Sequence, residues 1–207
     1  MRAVVFTRPP VPGTVKTRLI PALGPEGAAE LHAAMAADVF ALVRSCDLEL
    51  TASIAGDLDH PWVQALDCPV EAQVQGDLGA RMLHAMRGPS VALGTDSPTL
   101  PPELLQRLAA GRHELAIGPA FDGGYWGIAW QRPHPELMAE MPWSTDAVLA
   151  ETLLRAAHLD CDLLPFWYDV DTPDALSMLR QSLRTLPSTV APHTRACLST
   201  TKGSQRS

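Results

Sequence analysis

"ELAIGPAFDGGYWGIAW", residues 114–130, holds two apolar runs separated only by a turn. "LAIGP" and "YWGIAW" are short, apolar and punctuated by glycine, which predicts two strands. The intervening "AFDGG" leaves no room for a helix, whereas a parallel pair needs a crossover of a dozen or more residues. An antiparallel excursion is therefore expected here.

Outward from this stretch, strands and helices alternate. "RAVVF" (2–6) reads as a buried first strand. "GPEGAAELHAAMAADVFALVRS" (24–45) reads as a helix with Pro25 in its first turn and Leu31, Met35, Val39 and Leu42 on one stripe. "LELTASIAG" (48–56), "VEAQVQG" (70–76) and "SVALG" (90–94) are further strands, with "LGARMLHAM" (78–86) helical through Leu78, Met82 and Met86. "TDSPTLPPELLQRLAA" (95–110) is a turn followed by a helix. In "STDAVLAETLLRAAH" (144–158), Ser144 or Thr145 is the expected N-cap, with Asp146 in the first turn. "CDLLPFWYDV" (161–170) is a last strand region. "DTPDALSMLRQSL" (171–183) opens on Thr172 as N-cap and buries Leu176, Leu179 and Leu183. The pattern predicts an α/β domain with a mixed, mostly parallel sheet and helices on both faces. One domain over residues 1–187 is expected, with 188–207, rich in Ser and Thr, as a flexible tail.

The chain has 207 residues, 46% of them hydrophobic, enough for a single core. Its formal charge of -7 excludes broad nucleic-acid binding, which needs a basic face. Cys46, Cys68, Cys161 and Cys197 are scattered and expected to be reduced. "AVVF" is too short for a signal segment and no stretch approaches a membrane span, so a cytoplasmic protein without membrane partners is expected. The sequence gives no sign of oligomeric state.

Familiar motifs fail. "GTVKT" lacks the glycine that a P-loop requires before its lysine, and there is no G-x-G-x-x-G, G-x-S-x-G or H-E-x-x-H. What remains are strand ends, where open α/β sheets bind ligands. "PPVPGTVKTR" (9–18) leaves the first strand with Gly13, which permits close backbone approach, and with Lys16 and Arg18, which can meet phosphate oxygens. No acidic residue precedes Glu26. "QGDLGARM" (75–82) frames Asp77 with Gly76 and Gly79 at a helix start, a possible anion site with Arg81 beside it. Asp96 follows an apolar strand, and Asp169 and Asp171 share one side of an extended segment. Asp96 and Asp171 lie 75 positions apart yet fall on one inferred sheet edge. Two convergent carboxylates suit Mg²⁺ or Mn²⁺. The competing bland reading makes Asp96 a helix cap and Asp171 a turn brace.

In this order, "PVPGTVKTRL", "GDLGARM", "GTDSPTLP", "GPAFDGGYWGI", "PWSTDAVLAETL" and "WYDVDTPDAL" resemble the Rossmann-like GT-A fold of nucleotide-diphospho-sugar transferases. More narrowly, over about residues 3–180, they resemble an uncharacterised bacterial glycosyltransferase-like family, some members of which are associated with arsenosugar biosynthesis. Arg8 stands where that family usually has lysine, and "YWGIA" replaces a more tyrosine-rich strand. A weaker similarity, through "VKTRLIPALGPEGAAELHAAMAADV", "DGG" and "DVDTPDAL", is to phospholactate guanylyltransferases. The resemblance implies a nucleotide side built from Pro12, Gly13, Lys16, Arg18, Gly76, Asp77, Gly79, Arg81 and Thr95. It implies an acceptor side of Gly123, Gly124, Tyr125, Trp143 and Ser144, with Trp126 in the same wall. Metal would sit on Asp96 and Asp171, and Asp122 or Asp146 would be the base.

Three functions are compatible. A metal-dependent glycosyltransferase would move a sugar from a nucleotide-diphospho-sugar to a small acceptor. A nucleotidyltransferase would join an NTP to a phosphorylated acceptor and release pyrophosphate, which calls for cations near the acceptor wall. Between residues 114 and 150 the only Lys or Arg is Arg132, which favours the first. A non-catalytic nucleotide-binding protein would not need both carboxylates.

Overall fold

The computed structural model describes residues 1–200. Strands β1 (Arg2–Thr7), β2 (Glu49–Ile54), β3 (Val70–Ala72), β4 (Ser90–Leu93), β5 (Leu115–Pro119), β6 (Tyr125–Trp130) and β7 (Cys161–Leu163) form one sheet in the order β3-β2-β1-β4-β6-β5-β7. Every pairing is parallel except those of β6, which runs antiparallel to both β4 and β5. The turn at Ala120–Gly124 is the reason, since its five residues can reverse the chain but cannot carry a crossover. The inserted β6 moves the β5–β6 turn next to the carboxyl end of β4.

Helix α1 (Ile20–Ser45) kinks at Gly24, whose φ of 71° breaks the first turn from a second segment that starts at Pro25. It covers one face of the sheet with α2 (Pro61–Gln64) and α4 (Pro102–Leu108), burying Val5, Val39, Phe40, Leu93 and Leu105 together. On the other face, α3 (Leu78–Ala85), α5 (Pro135–Met138) and α6 (Val148–Arg155) accompany Val4, Met82, Ile128 and Trp130. Ala3 and Val5 face one cluster and Val4 the other, the strand alternation that a sheet covered twice requires. A third cluster joins Leu31 and Met35 of α1 to Leu176, Leu179 and Leu183 of α7 (Pro173–Thr185). Thr172 caps α7, its hydroxyl accepting from the Ala175 N–H at 3.2 Å.

Three expectations need correction. Residues Pro192–Thr200 form helix α8 rather than a loose tail. Both oxygens of buried Asp38 accept its first amides, from His193 (3.0 Å) and Thr194 (2.8 Å), while Ala191 and Leu198 join the third cluster. Its cap lies 155 positions upstream, out of reach of local reading. The domain thus extends through residue 200; the rest of the expected tail, 201–207, lies outside the described residues. Helix α6 starts at Val148 with Ala147 as its uncapped N-cap residue. Ser144 adopts φ 65° and Thr145 Oγ1 instead accepts from the Ala147 N–H at 3.3 Å, so "WSTD" closes a turn before the helix begins. The last strand is also shorter than expected. Only Cys161–Leu163 form a ladder, followed by the single bridge Ala120–Trp167, because Pro165 offers no amide.

The register shifts at Gly118/Pro119, where the buried Trp126 ring crosses β5. A Cβ at position 118 would fall within that ring, and the ring is fixed by its Nε1–H donating to the Pro165 carbonyl at 3.2 Å. Gly118→Ala should therefore lower unfolding free energy by about 2 kcal/mol in urea melts. A loss under about 0.5 kcal/mol would show that the ring can yield.

Candidate active site

Four strand ends meet over the carboxyl edge of the sheet, in the spatial order β1, β4, β6 start, β5 end. The β1 loop folds back through Thr14, whose N–H and hydroxyl both donate to the Val11 carbonyl (3.1 and 2.8 Å). Gly13 takes φ 81°, and Lys16 itself is left-handed at φ 47°, ψ 40°. Val15 is buried as the anchor of this turn. The result directs Lys16 inward, with its side chain only 4% exposed.

The β4 loop is stitched to the segment before α7. Val170 N–H donates to the Asp96 carbonyl (2.8 Å), Ser97 Oγ donates to the Tyr168 carbonyl (3.0 Å) and to Asp169 Oδ1 (3.3 Å), and Thr99 Oγ1 meets the Tyr168 hydroxyl (2.7 Å). These bonds bring Asp96 and Asp171 together. Lys16 Nζ lies 2.6 Å from Oδ1 of each. Thr95 Oγ1 donates to the same Asp96 oxygen at 3.2 Å.

The charges answer one another. Burial alone would lower the Lys16 pKa, but Asp96 and then Asp171 outweigh it and hold the ammonium above the ordinary lysine value. For Asp96 burial works upward, and the Lys16 charge and hydrogen bond overcome it, so the carboxyl titrates below its usual range. Its side chain is 38% exposed, so this carboxylate is reachable from the cleft as well as ion-paired. Asp169 goes the other way: burial, then the charges of Asp122, Asp96 and Asp171, push it to about 7 against the Ser97 hydroxyl. Behind the pair, His32 Nε2 sits 3.1 Å from the Arg8 carbonyl and 3.3 Å from Thr7 Oγ1, and burial lowers its pKa.

In front of these groups lies a cleft of about 810 Å³. Arg8, Lys16 and Arg18 of the β1 loop line one part of it. Among the described residues, neither guanidinium has an ion-pair partner. Asp96, Asp169 and Asp171 line the middle. Asp122, Gly124 and Tyr125 of the β5–β6 turn and Trp143, Ser144 and Asp146 of the α5–α6 loop also line it. Tyr125 and Trp143 meet edge to face, with centroids 6.5 Å apart. Asp122 Oδ1 accepts the Gly124 N–H at 2.9 Å. Gly123, at φ 88°, lets the turn press onto the Asp146 backbone, where any Cβ would collide.

Solved structures share this architecture. A crystal structure from Desulfovibrio desulfuricans G20, provisionally named a nucleotide-diphospho-sugar transferase, superposes with a TM-score of 0.86 at 29% identity, covering 98% of each chain. A cytidylyltransferase from Leptospira borgpetersenii gives 0.61 at 14% identity (98% of this chain, 94% of that one). The inositol-1-phosphate CTP transferase from T. maritima gives 0.58 at 12% identity, covering 95% of each. The last two share the fold alone. No curated protein is detectably similar in sequence. The sequence model of DUF2064, described as uncharacterized protein conserved in bacteria, matches residues 35–145. The chain belongs to the DUF2064 family. Its fold is that of the nucleotide-diphospho-sugar transferases.

In this DUF2064 protein the structure brings most, not all, of the expected site residues together. Lys16, Arg18, Asp96, Asp122, Gly124, Tyr125, Trp143, Ser144, Asp146 and Asp171 line the cleft. Thr95, buried, supports Asp96 from behind. Pro12 and Gly13 shape the β1 loop without facing the cleft, and Gly123 acts through packing.

The "GDLGARM" segment differs most. Asp77 accepts from the Ala80 N–H at 2.8 Å, so its carboxylate caps the α3 terminus that an anion would otherwise occupy. Arg81 is turned back on Gly76 O (3.0 Å) and Gln73 (3.4 Å). Gly76 serves the turn at φ 124°, and Gly79 is needed because Met138 and Trp143 stand 3.0 Å from where a Cβ would be. Only Leu78 of this segment reaches the cleft. Two charged cleft residues stand outside the expected site, Arg8 and Asp169. Arg8 had a signal in its place among the acid-free first residues, and Asp169 in its two-residue spacing from Asp171. Among the described residues no helix is long and apolar enough to cross a membrane, and the four cysteines are free thiols.

Proposed function

We propose that this protein is a metal-dependent transferase that moves a glycosyl group from a nucleotide-diphospho-sugar to a small acceptor with a neutral hydroxyl. One observation carries the choice: the cleft is polarised. All its lysine and arginine residues come from the β1 loop, while the Tyr125–Trp143 part offers Asp122 and Asp146 and no Lys or Arg. A phosphorylated acceptor, as nucleotidyl transfer would require, would meet carboxylates there and be repelled.

Lys16 is already neutralised by two aspartates, so Arg8 and Arg18 are the groups for the diphosphate, Arg being suited to bidentate contact. Asp96 and Asp171 would hold Mg²⁺ or Mn²⁺. Among the described residues no cluster of three or more ligating side chains is preformed. Two carboxylates completed by substrate phosphate oxygens are nonetheless a normal arrangement for Mg²⁺. Such an ion supplies charge neutralisation to the leaving diphosphate.

In the transfer, the bond from the anomeric carbon to the diphosphate oxygen breaks and a bond to the acceptor oxygen forms. The acceptor proton goes to a carboxylate. Asp122, fixed by the Gly124 amide, is the base this reading assigns, with Asp146 across the turn as the other candidate.

Melting the protein with Mn²⁺ and UDP-, GDP- or dTDP-sugars should raise its transition by about 5–10 °C for one donor class at hundredfold saturation. A rise with nucleoside triphosphates alone would move the protein to nucleotidyl transfer.

A further inference from the structure

Phe121 and Phe166 stack in the open, with centroids 5.5 Å apart and planes 25° from parallel. Phe121 is 69% exposed and Phe166 47%. Exposed phenylalanines on a mobile loop would carry little meaning, but these two are held by hydrogen-bonded backbone. Ala120 bridges Trp167, Trp167 N–H donates to the Pro119 carbonyl at 3.0 Å, and Ala120 N–H donates to the Gly124 carbonyl at 3.0 Å. On the Phe166 side, the Pro165 carbonyl is anchored by Trp126, itself a cleft residue. The fold therefore fixes two apolar rings in water, where they forgo the stabilisation of burial.

Their place identifies the occupant. Phe121 directly precedes Asp122, the residue assigned as base, and Phe166 lies three positions before Asp169 in the middle of the cleft. Neither ring lines the cleft itself; both sit at the β5 and β7 end of the sheet, next in the chain to acceptor-side residues and across the sheet from the arginine-bearing β1 loop. The exposed area of two such rings is about 200 Å². A stable protein interface needs about 800 Å² on each partner, which this pair falls well short of supplying. A flat small-molecule group matches it, since aromatic surfaces stack with offset.

We infer that the acceptor carries an aromatic or flat apolar group beyond its reacting hydroxyl, and that Phe121 and Phe166 form the subsite that receives it. This rests on the glycosyl-transfer reading for the word acceptor, but the subsite is testable without a donor. Saturation-transfer NMR with p-nitrophenyl β-glucoside, methyl β-glucoside and p-nitrophenol should show the two aryl compounds binding, with the strongest saturation on their ring protons. The methyl glycoside should bind at least about tenfold more weakly. The double variant Phe121→Ser/Phe166→Ser changes only exposed rings and should lose aryl binding by a similar factor while keeping its melting temperature.

Equal binding of the aryl and methyl compounds would overturn the inference, as would full aryl affinity in the double variant. Sedimentation that shows a wild-type dimer converted to monomer by the double variant would overturn it too, by assigning the rings to a second copy of the chain. Aryl binding that depends on the two phenylalanines, in a protein that no nucleotide-sugar stabilises, would support the subsite and sink the donor reading alone.

Discussion

Lys16→Met should destabilise the protein by about 3 kcal/mol at neutral pH, and the loss should largely vanish in acid. The ammonium is buried and lies 2.6 Å from two carboxylates, so its removal leaves Asp96 and Asp171 facing each other without a counter-ion. Breaking a buried pair costs about 3–5 kcal/mol, and the low end applies because the carboxylates are 38% and 43% exposed and solvent screens them. Lys16 has a raised pKa, so its contribution is complete below the ordinary lysine value of 10.5 and disappears only as pH climbs past its folded value. Asp96 has a lowered pKa, so its contribution is present above the ordinary value of 3.8 and is lost as pH falls through its folded value. The gap between wild type and variant should be flat from about pH 8 to 10 and close below about pH 4. The Lys16 charge also helps hold the His32 pKa down, so in the variant His32 would take up a proton at higher pH and the gap would begin to narrow near neutrality. Urea melts at pH 7 and pH 3 measure the gap directly; equal stabilities at pH 7 would remove Lys16 from the framework of the site.

That ion triad also marks how far the sequence can be read. Asp96 was visible because a carboxylate after a fully apolar strand needs a reason, and Asp171 because it precedes the Thr172–Pro173 helix start. Both signals are local, and the parallel topology then brings them to one edge. The partner of Lys16 was not visible. A lysine after a proline-rich turn looks the same whether it faces phosphate or two aspartates 80 and 155 positions away, and the choice is made by the left-handed turn at Lys16 itself.

Asp77 illustrates a different limit. The glycines around it do frame a helix start, as its spacing suggested, yet an Asp at the N-cap satisfies the same amides a ligand would use. Helix α8 was missed because its cap, Asp38, comes from α1. The antiparallel β6, in contrast, followed from chain length alone, since no crossover fits between Pro119 and Tyr125.

Asp96→Asn should reduce Mn²⁺-dependent binding of a nucleoside diphosphate by about 100-fold or more, read by calorimetry with and without the metal. The substitution keeps the shape of the side chain and its Thr95 contact but removes the anionic charge, and amide oxygen is a much poorer ligand for a hard divalent ion than carboxylate. It should also cost stability, which the sequence alone did not suggest. Lys16 would retain Asp171 at 2.6 Å, so the loss should be about 1–2 kcal/mol, smaller than for Lys16→Met. The Asp96 backbone carbonyl still receives the Val170 amide, so the stitched loop stays in place. These two readouts separate the roles of the residue. A stability loss with unchanged Mn²⁺-dependent binding would make Asp96 a counter-ion for Lys16 and nothing more. Lost binding in a variant that melts within a few degrees of wild type is the expected result, because Arg8 and Arg18 would then still face the diphosphate with no cation on the opposite side to share its charge.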